Sequence, residues 1–408
     1  MTNPTPTLPD APPYPRPRAC PYQPSREYQE LGERGPMNRV TLFDGATAWL
    51  VTGHSHSRRL LADPRVSADR SRPDFPVVLP RFEADVFKPL AIIGFDPPQH
   101  GLQRGLLTAD FSMRSVRAKR ESIERLVESL ADRMLAAGPP ADLVLDYSLP
   151  IPSMVVADLL GVPYADHQFF EDATVRLLQA TTPQGAEAAG EELLNYLDEQ
   201  IRLRERDPDD TLLSRLGEHV HDEGLGRDII NKIALALLVG GHDTTSQMIA
   251  LGVVTLLDHP DQLAILRSDP SALPGVVEEL LRMVSVTDLA GVRVATEDVE
   301  IDGQVIARGE GLIFCNSMAN RDPAVYDAPY EFDVRRSADD PPATRRHLTF
   351  GHGPHQCIGR NLARMELEIA YRVLFEKIPN LRLAVPRDEL PMRHGSTMQG
   401  VHRLPVTW

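Results

Sequence analysis

Apolar residues recur at helical spacing over roughly residues 98–112, 115–137, 187–205, 226–257, 272–284 and 358–376, which predicts a mainly α protein. The stretch from Leu235 to Val254, LALLVGGHDTTSQMIALGVV, is apolar almost all round, as befits a helix buried on every side. Alternating stretches are few and short. Val40–Phe43 and Ala48–Val51 flank Asp44-Gly45, a tight hairpin signal, and a second hairpin is expected at Asp302-Gly303. Residues 1–24 carry Pro4, Pro6, Pro9, Pro12, Pro13, Pro15, Pro17, Pro21 and Pro24, and so predict an extended or weakly ordered arm. No repeat or long linker interrupts the remainder, so residues 25–408 read as one helical domain with small peripheral β-sheets.

Composition narrows this reading. A chain of 408 residues would by length alone suggest two or three domains, yet no boundary is visible. Cys20, Cys315 and Cys357 show no paired framework, which fits a reducing cytoplasm. A net charge of −15 argues against nucleic acid as a partner. No run of about 18 apolar residues and no signal-peptide pattern appears, so no membrane anchor is expected.

The chemistry concentrates in four segments. Cys357 lies where the pattern of 358–376 begins, so free N–H groups and the helix dipole act on its sulfur and favour the thiolate. Gly353 lets the chain bend ahead of it, and Gly359 lets N–H groups approach the sulfur. A thiolate held this way suits a soft or redox-active metal. A buried, inert cysteine is one alternative. Zinc is another, because His347, His352 and His355 crowd the loop, although their spacing lacks the usual paired ligands. In the long apolar helix, Gly240 and Gly241 leave room for a flat cofactor and a small ligand, at about 1 kcal/mol each relative to alanine. Asp243 and Thr244 place a carboxylate and a hydroxyl beside that gap, the inventory of a proton relay; a packing role for the glycines with Asp243 exposed is the alternative. Glu279 and Arg282 are three apart on one helix face and can pair, as many surface residues do with little energetic weight. His100 and Arg104 lie four apart on a helix that proline can start.

The string F-x-x-G-x-x-x-C-x-G from Phe350 to Gly359, followed by Leu-Ala-Arg, resembles the haem-ligating loop of the cytochrome P450 family in its soluble bacterial (actinomycete) class I form. The resemblance implies that family's helical prism, haem b with Cys357 as axial thiolate, and dioxygen as co-substrate, the thiolate favouring O–O cleavage. Gly240-Gly241-His242-Asp243-Thr244-Thr245 is similar to the oxygen-activation motif, which makes Thr244 the hydroxyl beside dioxygen and Asp243 the acid that feeds protons inward. Glu279-Leu-Leu-Arg282 and Phe332-Asp-Val-Arg-Arg336 resemble a structural clamp, with Arg336 as third member and Arg335 as the alternative register. His100 and Arg104 in Asp96-Pro-Pro-Gln-His-Gly-Leu-Gln-Arg, together with Arg293 and His355, match the haem propionate ligands.

By family position the substrate pocket draws on residues 75–94, including Phe82, Phe87, Leu90 and Ile92, and on the 170–190 region. Leu237, Val286, Leu289, Ala290, Val292 and Met398 complete it. The implied substrate is a bulky lipophilic small molecule, macrolide-, steroid- or xenobiotic-like, to be hydroxylated or epoxidised. No flavin or iron–sulfur segment is present, so the resemblance implies electrons from a ferredoxin and its reductase. Arg114, Arg117, Lys119, Arg120, Arg345, Arg346, Arg360 and Arg364 form the expected docking patch on a cytoplasmic, monomeric protein. A peroxide-driven peroxygenase and a non-catalytic haem sensor or carrier are the alternatives, and an intact Asp243-Thr244 pair argues against both.

Overall fold

The long helices form where the apolar stripes are, and their ends follow local chemistry. In the computed structural model, which describes residues 11–16, 18, 20, 22–87, 90–287, 291–336, 346–393 and 398–408, fourteen α-helices are present. The first seven are α1 (Arg26–Arg34), α2 (His54–Ala62), α3 (Gln99–Gly105), α4 (Met113–Ala118), α5 (Arg120–Ala137), α6 (Pro150–Leu160) and α7 (His167–Gln179). The others are α8 (Pro183–Arg206), α9 (Leu212–Gly217), α10 (Gly226–Asp258), α11 (Pro260–Ser268), α12 (Leu273–Val284), α13 (Asn316–Ala319) and α14 (Arg360–Lys377). The α8 start is set by Thr182, whose hydroxyl accepts from the Gly185 N–H, and by Pro183 in the first turn. Two expected helices differ. The 98–112 pattern stops at Gly105, where Leu107 and Thr108 N–H switch to carbonyls three residues back. The 115–137 pattern breaks at Lys119, whose N–H likewise turns to Val116 O.

Among the described residues three sheets lie around the helices. The largest has the order β1 (Met37–Thr41), β2 (Thr47–Val51), β8 (Gly311–Phe314), β5 (Gly291–Ala295), β3 (Val66–Ser67), and only its β2–β8 pair is parallel. A second joins β4 (Ala141–Asp142), β10 (Pro405–Thr407) and β9 (Arg382–Leu383). The third is the hairpin β6 (Val299–Ile301) and β7 (Gln304–Ile306), closed by Asp302 and Gly303 at φ 48° and 81°. Those left-handed residues make the turn the Asp-Gly dipeptide predicts.

Helix α10 runs through the core and buries residues on all sides against α6, α8, α12 and α14. Its contact with α14 is close because Gly252 has no side chain: a Cβ there would lie 2.0 Å from the Tyr371 hydroxyl, which donates to Met248 O at 2.6 Å. Among the described residues no single helix is long and apolar enough to cross a membrane. The described part of the proline-rich arm is extended and tied down. Tyr14 N–H donates to Thr41 O at 2.8 Å, and buried Arg18 donates to Val284 O at 2.9 Å.

Candidate active site

The cysteine loop is a backbone construction. Phe350 O accepts from Cys357 N–H at 2.8 Å, and Gly351 and Gly353 take φ of 69° and 72°. A Cβ at Gly353 would sit 2.6 Å from Leu61 O, so only glycine permits the loop to lie against α2. Gly359, the cap of α14, is adjacent to the sulfur, and its Cβ would lie 3.9 Å from Cys357 Sγ. The thiol is open to space yet deep in the molecule. Desolvation therefore raises its pKa, against the lowering effects of the Gly359 N–H, Arg104, Arg360 and Arg364. The helix terminus alone does not hold a free thiolate here; a cation on the sulfur would be needed. Among the described residues no group of three His, Cys, Asp or Glu side chains is gathered for a metal. His347 turns away to Glu278, and His355 lies against His100 with the two rings tilted by 41°.

Beside this loop four donor side chains converge. The His100 and His355 rings are 4.1 Å apart. His355 falls to about 3 through burial, then the charges of Arg293, His100 and Arg104. Burial and nearby Arg70 bring Arg293 down to about 10. Arg104 Nη2 donates to Gln356 O at 2.8 Å, which ties α3 to the cysteine loop. His100 Nε2 is buried with no hydrogen-bond partner among the described residues. The carboxylate this cluster senses, Asp96, already accepts from Ser67 and the Ala68 N–H. Such a set of donors short of an anion is what a group bearing two carboxylates would satisfy, so the residues present fit a haem and its propionates.

On α10, Gly240 is exposed between the half-buried Val239 and Gly241, and a Cβ there would meet nothing within 4 Å. Gly241 instead packs against α6, where a Cβ would reach Val156 Cγ2 at 2.9 Å. Thr244 Oγ1 donates to Gly240 O at 2.8 Å, so the hydroxyl is held one turn from the opening. Asp243 is buried, not exposed, and Arg393 Nη1 donates to its two oxygens at 2.7 and 2.8 Å. The segment carrying Arg393 is docked by a second contact, Val401 N–H to Gln247 Oε1 at 2.8 Å.

Glu279 and Arg282 pair across one turn of α12. Arg282 Nε and Nη2 donate to Glu279 at 2.8 and 2.7 Å, and both side chains are fully buried. Arg336 Nε reaches the same carboxylate at 3.1 Å, whereas Arg335 uses only its N–H, to Asp333. Arg282 continues to Asn320 O at 2.9 Å, and Asn320 holds the Leu348 N–H and the Thr349 hydroxyl just ahead of Phe350. A second carboxylate works in parallel. Glu278 accepts from Arg364 and from His347 Nε2, and the Arg364 guanidinium lies 4.6 Å from the Phe350 ring. Burial opposes the Glu278 charge, yet the hydrogen bonds from His347 and Arg364 bring its pKa down to about 2. Burial keeps His347 neutral, and its Nδ1 accepts from Thr349 N–H, so the Nε2–H tautomer faces Glu278 and Arg364 carries the charge.

The expected pocket residues divide. Phe82 and Phe87 make an edge contact at 5.0 Å, and Ile92, at φ 65°, receives a His355 hydrogen bond on its backbone. Leu90 is partly exposed; Leu237, Val292 and Met398 are buried; Leu289 and Ala290 lie outside the described residues. The basic patch is smaller than expected. Lys119 pairs with Asp158, Arg120 with Glu368, and Arg364 with Glu278, so these charges are neutralised locally. Arg345 lies outside the described residues. Arg114 and Arg117 are exposed and meet no carboxylate among the described residues, and Arg360 donates to Cys357 O at 3.2 Å.

Sequence reasoning missed Glu278, Arg393 and Arg70. The first two act on partners 86 and 150 residues away, so no local pattern marks them. Arg70 is desolvated to about 10 beside Phe82, with its guanidinium 5.7 Å from the ring.

Known proteins resemble this chain along its length. The family model described as Cytochrome P450 matches residues 168–399. "Cytochrome P450 105A3" of Streptomyces carbophilus is 51% identical over 98% of this chain and 97% of its own. The "Vitamin D3 dihydroxylase" of Streptomyces griseolus is 48% identical over 99% of this chain and 98% of its own. The solved mycinamicin VIII C21 methyl hydroxylase MycCI from Micromonospora griseorubida, bound to mycinamicin VIII, superposes with a TM-score of 0.90 at 35% identity, covering 97% of this chain and 99% of that one. The chain therefore belongs to the cytochrome P450 family, and is a haem-thiolate monooxygenase that takes dioxygen as co-substrate.

Proposed function

We propose that this protein oxidises a bulky lipophilic small molecule, of macrolide, steroid-like or xenobiotic kind, in the cytoplasm with electrons from a ferredoxin. Cys357 would bind the haem iron through its sulfur, and His100, Arg104, Arg293 and His355 would hold the propionates. The observation that carries this assignment is the convergence of those four donors beside one cysteine, with a buried His100 nitrogen left without a partner. When bound, haem supplies the dioxygen chemistry. The chain's own side chains do the rest. Glu279, Arg282 and Arg336, with Glu278 and Arg364, fix the loop that carries the sulfur. The Thr244 hydroxyl, back-bonded to Gly240, can turn to donate into the cavity that Gly240 leaves open. Asp243 resupplies its proton from the buried side of α10, where Arg393 holds it. Phe82, Phe87, Leu90, Ile92, Leu237, Leu289, Val292 and Met398 exclude water around the substrate.

The relatives' names support the substrate class: one acts on vitamin D3, and a solved neighbour binds a mycinamicin. Titration of a lipophile library against the ferric protein, read as the haem absorbance shift when substrate displaces water, identifies ligands. NADH-driven product formation with ferredoxin and reductase, compared with peroxide alone, then separates a monooxygenase from a peroxygenase. Thr244→Ala should retain haem and substrate binding while diverting reducing equivalents to peroxide; full coupling would contradict the relay. Arg117→Glu should raise the apparent KM for ferredoxin several-fold at low salt and lose that effect at high salt. Identical salt curves for wild type and variant would remove the docking surface.

A further inference from the structure

His242 is a histidine without a hydrogen bond, in the middle of the segment that carries the relay. Both ring nitrogens are buried and neither has a partner among the described residues. Leaving such atoms dry is costly, and buried groups of this kind are commonly satisfied by ordered water. The His242 ring meets the Phe170 ring of α7 edge-on, with centroids 6.4 Å apart. One turn further along α7, the fully buried Thr174 hydroxyl is also without a partner. Next to Phe170, the half-buried Glu171 carboxyl is hydrogen-bonded to the buried Ser153 hydroxyl of α6. On the other flank His242 lies within the electrostatic reach of Asp243 and Arg393.

We infer that His242 anchors a file of buried water between α6, α7 and α10, which carries protons from Glu171, near the surface, to Asp243. This rests on the relay reading of Asp243 and Thr244 and extends it outward. In each transfer Glu171 gives a proton to the first water and regains one from solvent, the waters pass it on, and the Asp243 carboxylate receives it. Burial brings His242 down to about 4, so the ring stays neutral, with one nitrogen donating and the other accepting. It orients the file and does not itself carry the charge, which makes it a positioning residue. Glu171 suits the outer end because it lies between the buried Ser153 hydroxyl and the surface, and burial shifts its pKa upward, the direction that favours a proton donor.

A high-resolution crystal structure of the haem-loaded protein should place water on both His242 nitrogens and on Thr174 Oγ1; a dry His242 overturns the inference. His242→Phe keeps the edge contact with Phe170 and removes both nitrogens. It should at least double the solvent deuterium isotope effect on product formation and raise peroxide release, with haem content and the substrate-induced absorbance shift unchanged. His242→Gln, which keeps a donor and an acceptor, should restore most of the loss. Thr174→Val breaks the same file without touching α10 and should act in the same direction even if His242→Phe fails to fold. An unchanged isotope effect in the folded variants sinks the proposal. Asp243→Asn separates the two readings: if it uncouples turnover while the His242 and Thr174 variants do not, the relay stands and the inlet falls. If Asp243→Asn leaves coupling intact, the relay itself is wrong, and the inlet with it.

Discussion

Replacing Arg393 with methionine tests whether the acid of α10 depends on a cation 150 residues away. The Arg393 and Asp243 side chains are 6% and 3% exposed, so their attraction is not screened as in a surface pair, where about 0–1 kcal/mol is usual. Methionine keeps the arginine stem but leaves a buried carboxylate without its cation, which costs about 3–5 kcal/mol. Arg393 Nε has no acceptor among the described residues, so the arginine carries a desolvation cost of its own and the net loss should fall near about 3 kcal/mol. Asp243→Asn strands the cation instead and should cost a similar amount. The double variant strands neither charge, and its loss should fall short of the sum of the two single losses by about 2–3 kcal/mol. Urea unfolding of the four haem-loaded proteins, followed by far-UV circular dichroism, closes the cycle. A coupling under about 1 kcal/mol would mean that water screens the pair, and the reasoning from burial would be refuted.

Further outcomes follow from the loop and its clamps. Glu278 has its pKa lowered from 4.5 to about 2, so its stabilisation is present above about pH 4.5 and is lost as pH falls toward 2. The amount is on the order of 3 kcal/mol at about 1.36 kcal/mol per unit. Glu278→Gln should therefore flatten the acid limb of the stability–pH curve, and an equally steep limb would exclude Glu278 as its source. Gly353→Ala forces a side chain onto a positive φ and into Leu61 O, so haem content and melting temperature should both drop; full haem content at an unchanged melting temperature contradicts the close approach. Glu279→Gln removes the anion shared by Arg282 and Arg336 and should cost about 3–5 kcal/mol, read as loss of haem-loaded protein on purification. Recovery of that variant with normal haem content would show that the arginines' carbonyl contacts suffice.

The fold was legible where periodicity is long. Helices α8, α12 and α14 carry apolar stripes of three turns or more and α10 is a long run apolar nearly all round, so their positions follow from the residues to within a few places. Helices α1, α2, α9 and α13 are 9, 9, 6 and 4 residues long and offer no such window. Helix α6 escaped for another reason: PIPSMVVADLL is apolar nearly all round, like α10, but at 11 residues it lacks the length that marks α10 as a helix. The break at Lys119 and the early end of α3 depend on switches of single hydrogen bonds, which residue type alone does not dictate.

The candidate site divides differently. Cys357, Asp243, Thr244, Glu279 and Arg282 stand in contiguous motifs that single them out in the sequence, although burial raises the Cys357 pKa where its neighbours alone predict a thiolate. Arg393 and Glu278 acquire meaning only through folding, which brings their partners from distant segments. Charge then distinguishes structural from binding sites more sharply than residue identity does. Glu279 is matched by Arg282 and Arg336, Glu278 by Arg364, and Asp243 by Arg393, so these buried charges are balanced within the protein. Around His100, Arg104, Arg293 and His355 the balance fails: donors gather, Asp96 is engaged elsewhere, and every one of the four has its pKa lowered. A chain with a net charge of −15 has ample carboxylates to neutralise such a cluster. On the proposed reading, a cationic pocket left unmatched in an acidic protein is kept for an anion from outside the chain, and its place beside Cys357 suits one that also brings a metal.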